Sequence, residues 1–280
     1  LEEEGVKVLI GIPNMKVHAK ICVIRKRVAD RIVQYGFVST GNLNEDTAKI
    51  YADHCLLTSN RAIMADVNRI FNYIEHYKTG THFLKACTVL LPSPVFAKKE
   101  IIKMIQTEVK NALRGNPASI TVKMNSLSDE DIISELYEAA RAGVQMNLII
   151  RGIFCMYSES AKFDKPIKAV SIVDEYLEHA RVWIFHNGGK EKVFISSADW
   201  MIRNLEHRVE ASCPIFDERL RKEIRDIIRI QMKDNVKARS LDNQLGNEYV
   251  QSDGDRIRSQ VETYNYLYQK IEDKVEVSSY

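Results

Sequence analysis

Short apolar runs alternate with longer amphipathic segments along the whole chain, a pattern that predicts an α/β protein with mixed sheets flanked by helices. In the first part, strands are predicted over 6–12, 17–24, 33–39 and 54–58. A helix follows with Ile63, Val67, Ile70, Phe71 and Ile74 on one face. The pattern resets near a strand at 87–91 followed by Pro92-Ser93-Pro94, which places a domain boundary at 87/88. Beyond it come a helix over 98–113 closed by Gly115, a strand at 120–124, and a helix capped by Ser128 and ended by Gly143. Strands at 146–150, 181–185, 192–196 and 209–213 precede two long helices at about 218–238 and 256–271. Their stripes (Leu220, Ile224, Ile227 and Ile228; Val261, Tyr264, Tyr268 and Ile271) read as core.

The layout carries an internal repeat. Leu1-Glu2-Glu3 before the run at 6–10 matches Leu177-Glu178-His179 before the run at 180–184. Phe37-Val38-Ser39-Thr40-Gly41-Asn42 matches Phe194-Ile195-Ser196-Ser197-Ala198-Asp199. Two copies in matching order imply a duplicated α/β unit with a ligand site between its halves.

Composition narrows this further. The 280 residues are 45% hydrophobic and 28% charged, as in a water-soluble globular protein, and the net charge of +2 gives no bias toward nucleic acid. No apolar run approaches the roughly 20 residues of a membrane helix. The five cysteines lack metal or redox spacing and read as reduced. The polar opening Leu1-Glu2-Glu3-Glu4, without an initiator Met, reads as the interior of something longer.

Chemistry concentrates at Val17-His18-Ala19-Lys20-Ile21. Strand alternation sends His18 and Lys20 to one face, where two potentially cationic groups are costly to bury without an anion. The loop Ser39-Thr40-Gly41-Asn42-Leu43-Asn44 can cradle a phosphate, and a structural turn explains it nearly as well. In the second half the stretch matched to this motif is Phe185-His186-Asn187-Gly188-Gly189-Lys190, so no second H-x-K is read there. Glu210, Arg203 and Arg208 either line the cleft or form ion pairs. Arg25-Lys26-Arg27 reads as a solvated hairpin.

The sequence H-x-K, then a strand and G-N-x-N, resembles the phospholipase D superfamily. The longer runs GIPNMKVHAKICVI, YGFVSTGNLNEDTAKIYADH, AVSIVDEYLEHARVWIFHNGG and KVFISSADWMIRNLEHRVEAS resemble the C-terminal half of polyphosphate kinases. The resemblance implies two phospholipase D-like α/β domains. Residues 1–87 would be the C-terminal part of the first, and 88–280 the second with its C-terminal helices. It further implies reversible transfer of the ATP γ-phosphate to polyphosphate through a phosphohistidine at His18, assisted by Lys20. Tyr51, Arg151, His179 and Asn42 are then the ATP or phosphate contacts. From the residues alone, a surface salt bridge explains Arg151 as well, and a helix-end histidine explains His179. The family's magnesium site lies upstream of Leu1, so no metal is assigned within this chain and Mg2+ is expected to be held elsewhere. ATP, ADP and polyphosphate are the expected partners, with self-association of the full-length protein, a cytoplasmic location and peripheral attachment to the inner membrane. A phospholipase D-like phosphodiesterase and a non-catalytic polyanion-binding module are the competing expectations.

Overall fold

A computed structural model describes residues 2–278. In chain order the first part holds β1 (Lys16–Val17), β2 (Lys20–Val28), β3 (Arg31–Ser39), α1 (Glu45–Ala48), β4 (Tyr51–Ala52), β5 (Cys55–Thr58), α2 (Arg61–Glu75) and α3 (Thr81–Lys85). The second part holds β6 (Leu91–Ser93), α4 (Ala97–Leu113), β7 (Ser119–Met124), α5 (Glu130–Arg141), β8 (Gln145–Ile150), β9 (Lys168–Ile172), β10 (Leu177–Glu178) and β11 (Arg181–Phe185). It closes with β12 (Lys192–Ser196), α6 (Ile202–Glu206), β13 (Arg208–Pro214), α7 (Glu218–Met232), β14 (Ala238–Ser240) and α8 (Ser259–Ser278). The mixed α/β expectation therefore holds.

A large sheet runs β1-β13-β12-β11-β7-β8-β9-β14, with β6 added to β13. Its centre, β7-β8-β9, is parallel, and the neighbouring pairs β7–β11, β11–β12 and β12–β13 are antiparallel. Alternate residues of the central strands feed different cores. Ile120, Val122, Met146 and Leu148 pack with Ile101 and Ile105 of α4 and Leu136 of α5. Ile149, Val170 and Val182 pack on the other face with Ile224 and Ile228 of α7. That second core also takes in Val38 of β3 and Ile63, Val67 and Ile70 of α2, so the first part of the chain shares an interior with the second. Fully burying each such side chain contributes about 1.5–3 kcal/mol. The separate sheet β2-β3-β5 carries the hairpin whose basic run is solvated, as expected.

Several boundaries depart from expectation for local reasons. Residues 6–12 form no strand, because nothing pairs with them beyond one bridge from Ile12 to Met15, and Ile10 is fully exposed. The predicted strand 17–24 breaks at His18 and Ala19, whose N–H groups both donate to the Val209 carbonyl (2.8 and 2.9 Å). The segment at 87–90 wraps around the fully buried Asp66, whose carboxylate accepts the N–H groups of Thr88, Val89 and Leu90. Strand pairing resumes only at Leu91. Asp129, not Ser128, caps α5 by accepting from the Ile132 N–H. Helix α7 stops at Met232, because the Asp234 carboxylate gathers the N–H groups of Val236, Lys237 and Ala238. The α8 stripe is a further correction: Val261, Tyr264, Tyr268 and Ile271 are exposed, and so is Leu220 of α7. The short strands β4, β9, β10 and β14 carry no period of their own and were not anticipated.

Candidate active site

The site is assembled by two crossed strand contacts. β1 pairs in parallel with the start of β13 (Lys16 with Arg208, Val17 with Val209). β10 pairs in the same sense with β4 (Leu177 with Tyr51, Glu178 with Ala52). The residue after β1 is His18 and the residue after β10 is His179. Just as His18 and Ala19 donate to the Val209 carbonyl, His179 and Ala180 donate to that of Ala52 (3.1 and 3.0 Å). Each bent segment thus delivers a histidine beside a carboxylate from the other half: Glu210 follows Val209, and Asp53 follows Ala52.

The side chains complete the crossing. His18 Nδ1 lies 2.8 Å from Glu210 Oε2 and 3.0 Å from Oε1. Glu210 is fully buried and also accepts from Asn204 Nδ2 (2.8 Å) and from the Ser197 hydroxyl. On the other side, His179 Nδ1 lies 2.9 Å from both Asp53 oxygens, and Thr40 Oγ1 donates to Asp53 Oδ1 (2.6 Å). With a carboxylate accepting at Nδ1, the proton of each neutral imidazole sits there and Nε2 keeps its lone pair.

This geometry re-registers the internal repeat. The partner of Leu177 is Lys16 rather than Leu1, and the second copy of His18-Ala19-Lys20 is His179-Ala180-Arg181. The second motif is present with Arg in place of Lys; the match to 185–190 was wrong because the two copies differ in spacing upstream of β3 and β12. His186 is a loop residue whose Nδ1 accepts from the Gly189 N–H (3.3 Å). The shared spacing Thr40 to Asp53 and Ser197 to Glu210 is the signal that would have found both carboxylates.

The two cations are used differently. Lys20 is buried, and its Nζ donates to the His18 carbonyl (2.6 Å). Burial pulls its pKa down to about 8, against the attraction of Glu210 and with added repulsion from Arg181. Arg181 is held by Asp199 (3.2 and 3.3 Å) and donates to the carbonyls of His179 (2.9 Å) and Thr40 (3.4 Å). Burial lowers the His179 pKa; the bond to Asp53 opposes this, and Arg181 and Arg151 reinforce it. Burial alone would raise Asp53, but hydrogen bonds from His179 and Thr40 hold it below the usual carboxylate range.

Among the other expected residues, Tyr51 packs against His179 with ring centroids 4.8 Å apart and the planes tilted by 54°. Arg151 follows β8 and anchors its Nε on the Glu178 carbonyl (2.9 Å), within electrostatic reach of Arg181, Asp199, Tyr51 and Asp53. Burial is the largest cause of its lowered pKa. Asn42 sits exposed beyond this centre, whereas its counterpart Asp199 is buried and accepts the Asn125 and Ser126 N–H groups (2.8 and 3.3 Å). In the loop at 39–44, Asn44 is spent capping α1. Arg203 is exposed. The sequence does not single out Asp53, Arg181 or Asn204, and it offers Thr40 only within the 39–44 loop and Ser197 only within the repeat.

The carboxylates here do not fit a magnesium ion. Glu210 and Asp53 are committed to histidines and hydroxyls, and Asp199 to Arg181 and backbone N–H groups. Among the described residues no group of three or more His, Cys, Asp or Glu is placed to hold a metal ion. Nor is any described helix long and apolar enough to cross a membrane.

Fold and site together define a class: a duplicated α/β unit in which two histidine motifs meet, each oriented by the other's carboxylate. The chain belongs to the polyphosphate kinase family, matching its C-terminal domain 1 over residues 1–80 and its C-terminal domain 2 over residues 90–260. It is 42% identical over 268 residues to a polyphosphate kinase of Vibrio cholerae and 41% identical to that of Escherichia coli K12, covering 95% of this chain and 38% of each relative. The chain thus spans well under half the length of these relatives. The crystal structure of polyphosphate kinase from Porphyromonas gingivalis superposes with a TM-score of 0.89 at 40% identity, over 97% of this chain and 42% of that one.

Proposed function

We propose that this chain carries the phosphoryl-transfer centre of an ATP:polyphosphate phosphotransferase, with His18 as the nucleophile. The observation that carries the reading is the Glu210–Nδ1 contact beside Lys20, which leaves the His18 Nε2 lone pair available for attack with a cation close by. Nε2 attacks the γ-phosphorus of ATP; the N–P bond forms as the bond from phosphorus to the bridging oxygen breaks, and ADP leaves with the electron pair. The terminal phosphate of polyphosphate then takes the group from Nε2, and the reverse sequence regenerates ATP. Transfer of this kind needs positioning and charge neutralisation more than bond-making assistance. Lys20 and Arg151 supply the charge, and the imidazolium character developing at His18 is offset by Glu210. ADP is a good leaving group, which suits a second histidine whose lowered pKa keeps it neutral.

With the reading go the division into 1–87 and 88–280, the ATP contacts at Tyr51, Arg151, His179 and Asn42, self-association, and peripheral attachment at the cytoplasmic side of the inner membrane. Magnesium enters no step assigned to these residues. The test is transfer of label from γ-labelled ATP, with magnesium, in a polypeptide of the relatives' full length carrying this chain. Acid-labile, base-stable label that disappears in His18→Ala is expected. Cleavage of phosphodiesters without any label overturns the kinase reading in favour of a phospholipase D-like hydrolase.

A further inference from the structure

We propose that a basic pocket at the far end of the central strands is a second binding site for condensed phosphate, one that grips the polymer away from the reacting end. The inference rests on the polyphosphate reading above. The parallel strands β7 and β8 carry their carboxyl ends toward the site, where β8 leads into Arg151. At their other end, a cavity of about 310 Å³ opens under α7, and its floor mixes polar strand positions with Ile184 where a helix-covered sheet face is ordinarily apolar throughout. Thr121 and Asn147 lie on that floor, with Asn147 Nδ2 donating to Thr121 Oγ1 (3.3 Å).

Four cations line the same cavity, Lys168 from β9, Arg225 and Arg229 from α7, and Lys233 just beyond, against the single carboxylate of Glu191. Arg225 is shared between Glu191 (2.7 Å) and Glu218 (3.2 Å). Arg229 has only a loose approach to Asp226 (3.7 Å), and Lys168 donates to the Met232 carbonyl (3.1 Å) at the end of α7. Balancing the negative end of one helix takes a single cation and contributes about 0.3–1 kcal/mol, so it does not account for four around an open cavity. Hydroxyl, amide, guanidinium and ammonium donors converging on one space match the oxygens of linked phosphates.

The polymer, rather than a nucleotide, is the fitting ligand because of distance. From Ser119 to Met124 the strand β7 advances about 17 Å at ~3.3 Å per residue. A polyphosphate chain can reach both ends of the sheet at once, while a nucleoside triphosphate bound at the active site cannot. A chain held at both places stays bound between transfers, so the pocket raises the number of additions per encounter.

Titration of inorganic tripolyphosphate into the 280-residue chain tests this, comparing the wild type with Lys168→Glu/Arg229→Glu, both exposed positions, and with Arg31→Glu on the distant hairpin as a charge control. The pocket variant is expected to lose one binding event, or at least tenfold in its affinity, with an unchanged melting temperature; Arg31→Glu is expected to bind like wild type. Equal binding by the pocket variant and the wild type overturns the proposal, as does an equal loss in Arg31→Glu or sulfate and orthophosphate binding as tightly as tripolyphosphate. ATP binding as tightly as tripolyphosphate, with the same dependence on Lys168, overturns the assignment to polymer. In the full-length protein the variant should label His18 at the wild-type rate but make shorter chains; chains of unchanged length overturn the retention role. Failure of His18 labelling in the wild type would sink the kinase reading and leave the titration result standing.

Discussion

The two histidine centres share a frame and differ in what fills it. Each has a histidine after a short parallel strand, a cation two residues on, and a carboxylate from the opposite half that also accepts a hydroxyl. Around His18 that carboxylate is fully buried and held by a serine and an asparagine, and the cation is a lysine whose hydrogen bond among the described residues is to a backbone carbonyl. Around His179 the cation is an arginine already bound to Asp199, and the imidazole is covered by Tyr51. The first centre keeps charge in reserve for a ligand; the second has spent most of its charge on the protein. Duplication therefore preserved orientation while the two cations came to be held differently, as the proposed division between attack and support requires.

Substitutions can break that comparison in graded steps. His18→Ala should abolish labelling, whereas His179→Ala should leave measurable label; equal abolition by both would erase the distinction. Glu210→Gln keeps the shape but loses the charge that fixes the His18 tautomer, and should lower the labelling rate by about 10²- to 10⁴-fold with little change in KM for ATP. Asp53→Asn, the matching change at the other centre, should cost about tenfold, equivalent to ~1.4 kcal/mol in the barrier. A larger loss from Asp53→Asn than from Glu210→Gln would reverse the assignment of roles.

Raising pH probes the first centre more gently. Lys20 is charged below about 8, so phosphate binding should weaken as pH rises through that value. Stability moves the other way. The unfolded chain holds the Lys20 proton up to the ordinary 10.5, so between about 8 and 10.5 it binds more protons than the folded chain and the fold gains with rising pH. A Lys20→Met variant should flatten both trends, read by binding at stepped pH and by melting temperature. The smallest effect on chemistry should come from Asp66→Ala, outside the centre. It should lower stability by ~3 kcal/mol through three freed N–H groups while the surviving folded fraction labels normally.

Much of this was legible in the chain because the central strands and amphipathic helices carry strong periods. His18 and Lys20 stood out as polar positions in an apolar run, and the matched ends of β3 and β12 revealed the duplication. What stayed hidden depends on pairing across the halves. β4 and β10 are two residues each, too short for any period, yet they place Asp53 and His179. Arg181 was passed over because an apolar segment of plausible length at 6–10 offered a false register, and only the lack of a strand partner in space removes it. The 87–90 bend is set by the buried Asp66, more than twenty residues earlier in the chain, whose effect on that backbone leaves no local pattern.

The crossed carboxylates also bear on how such a protein can change over generations. A duplicated copy whose own histidine is not the attacking one would ordinarily be free to decay. Here the second copy supplies Glu210, the carboxylate that meets His18 of the first copy, and receives Asp53 in return. A change in either copy therefore disturbs a histidine of the other, which ties the two together whatever work each one does.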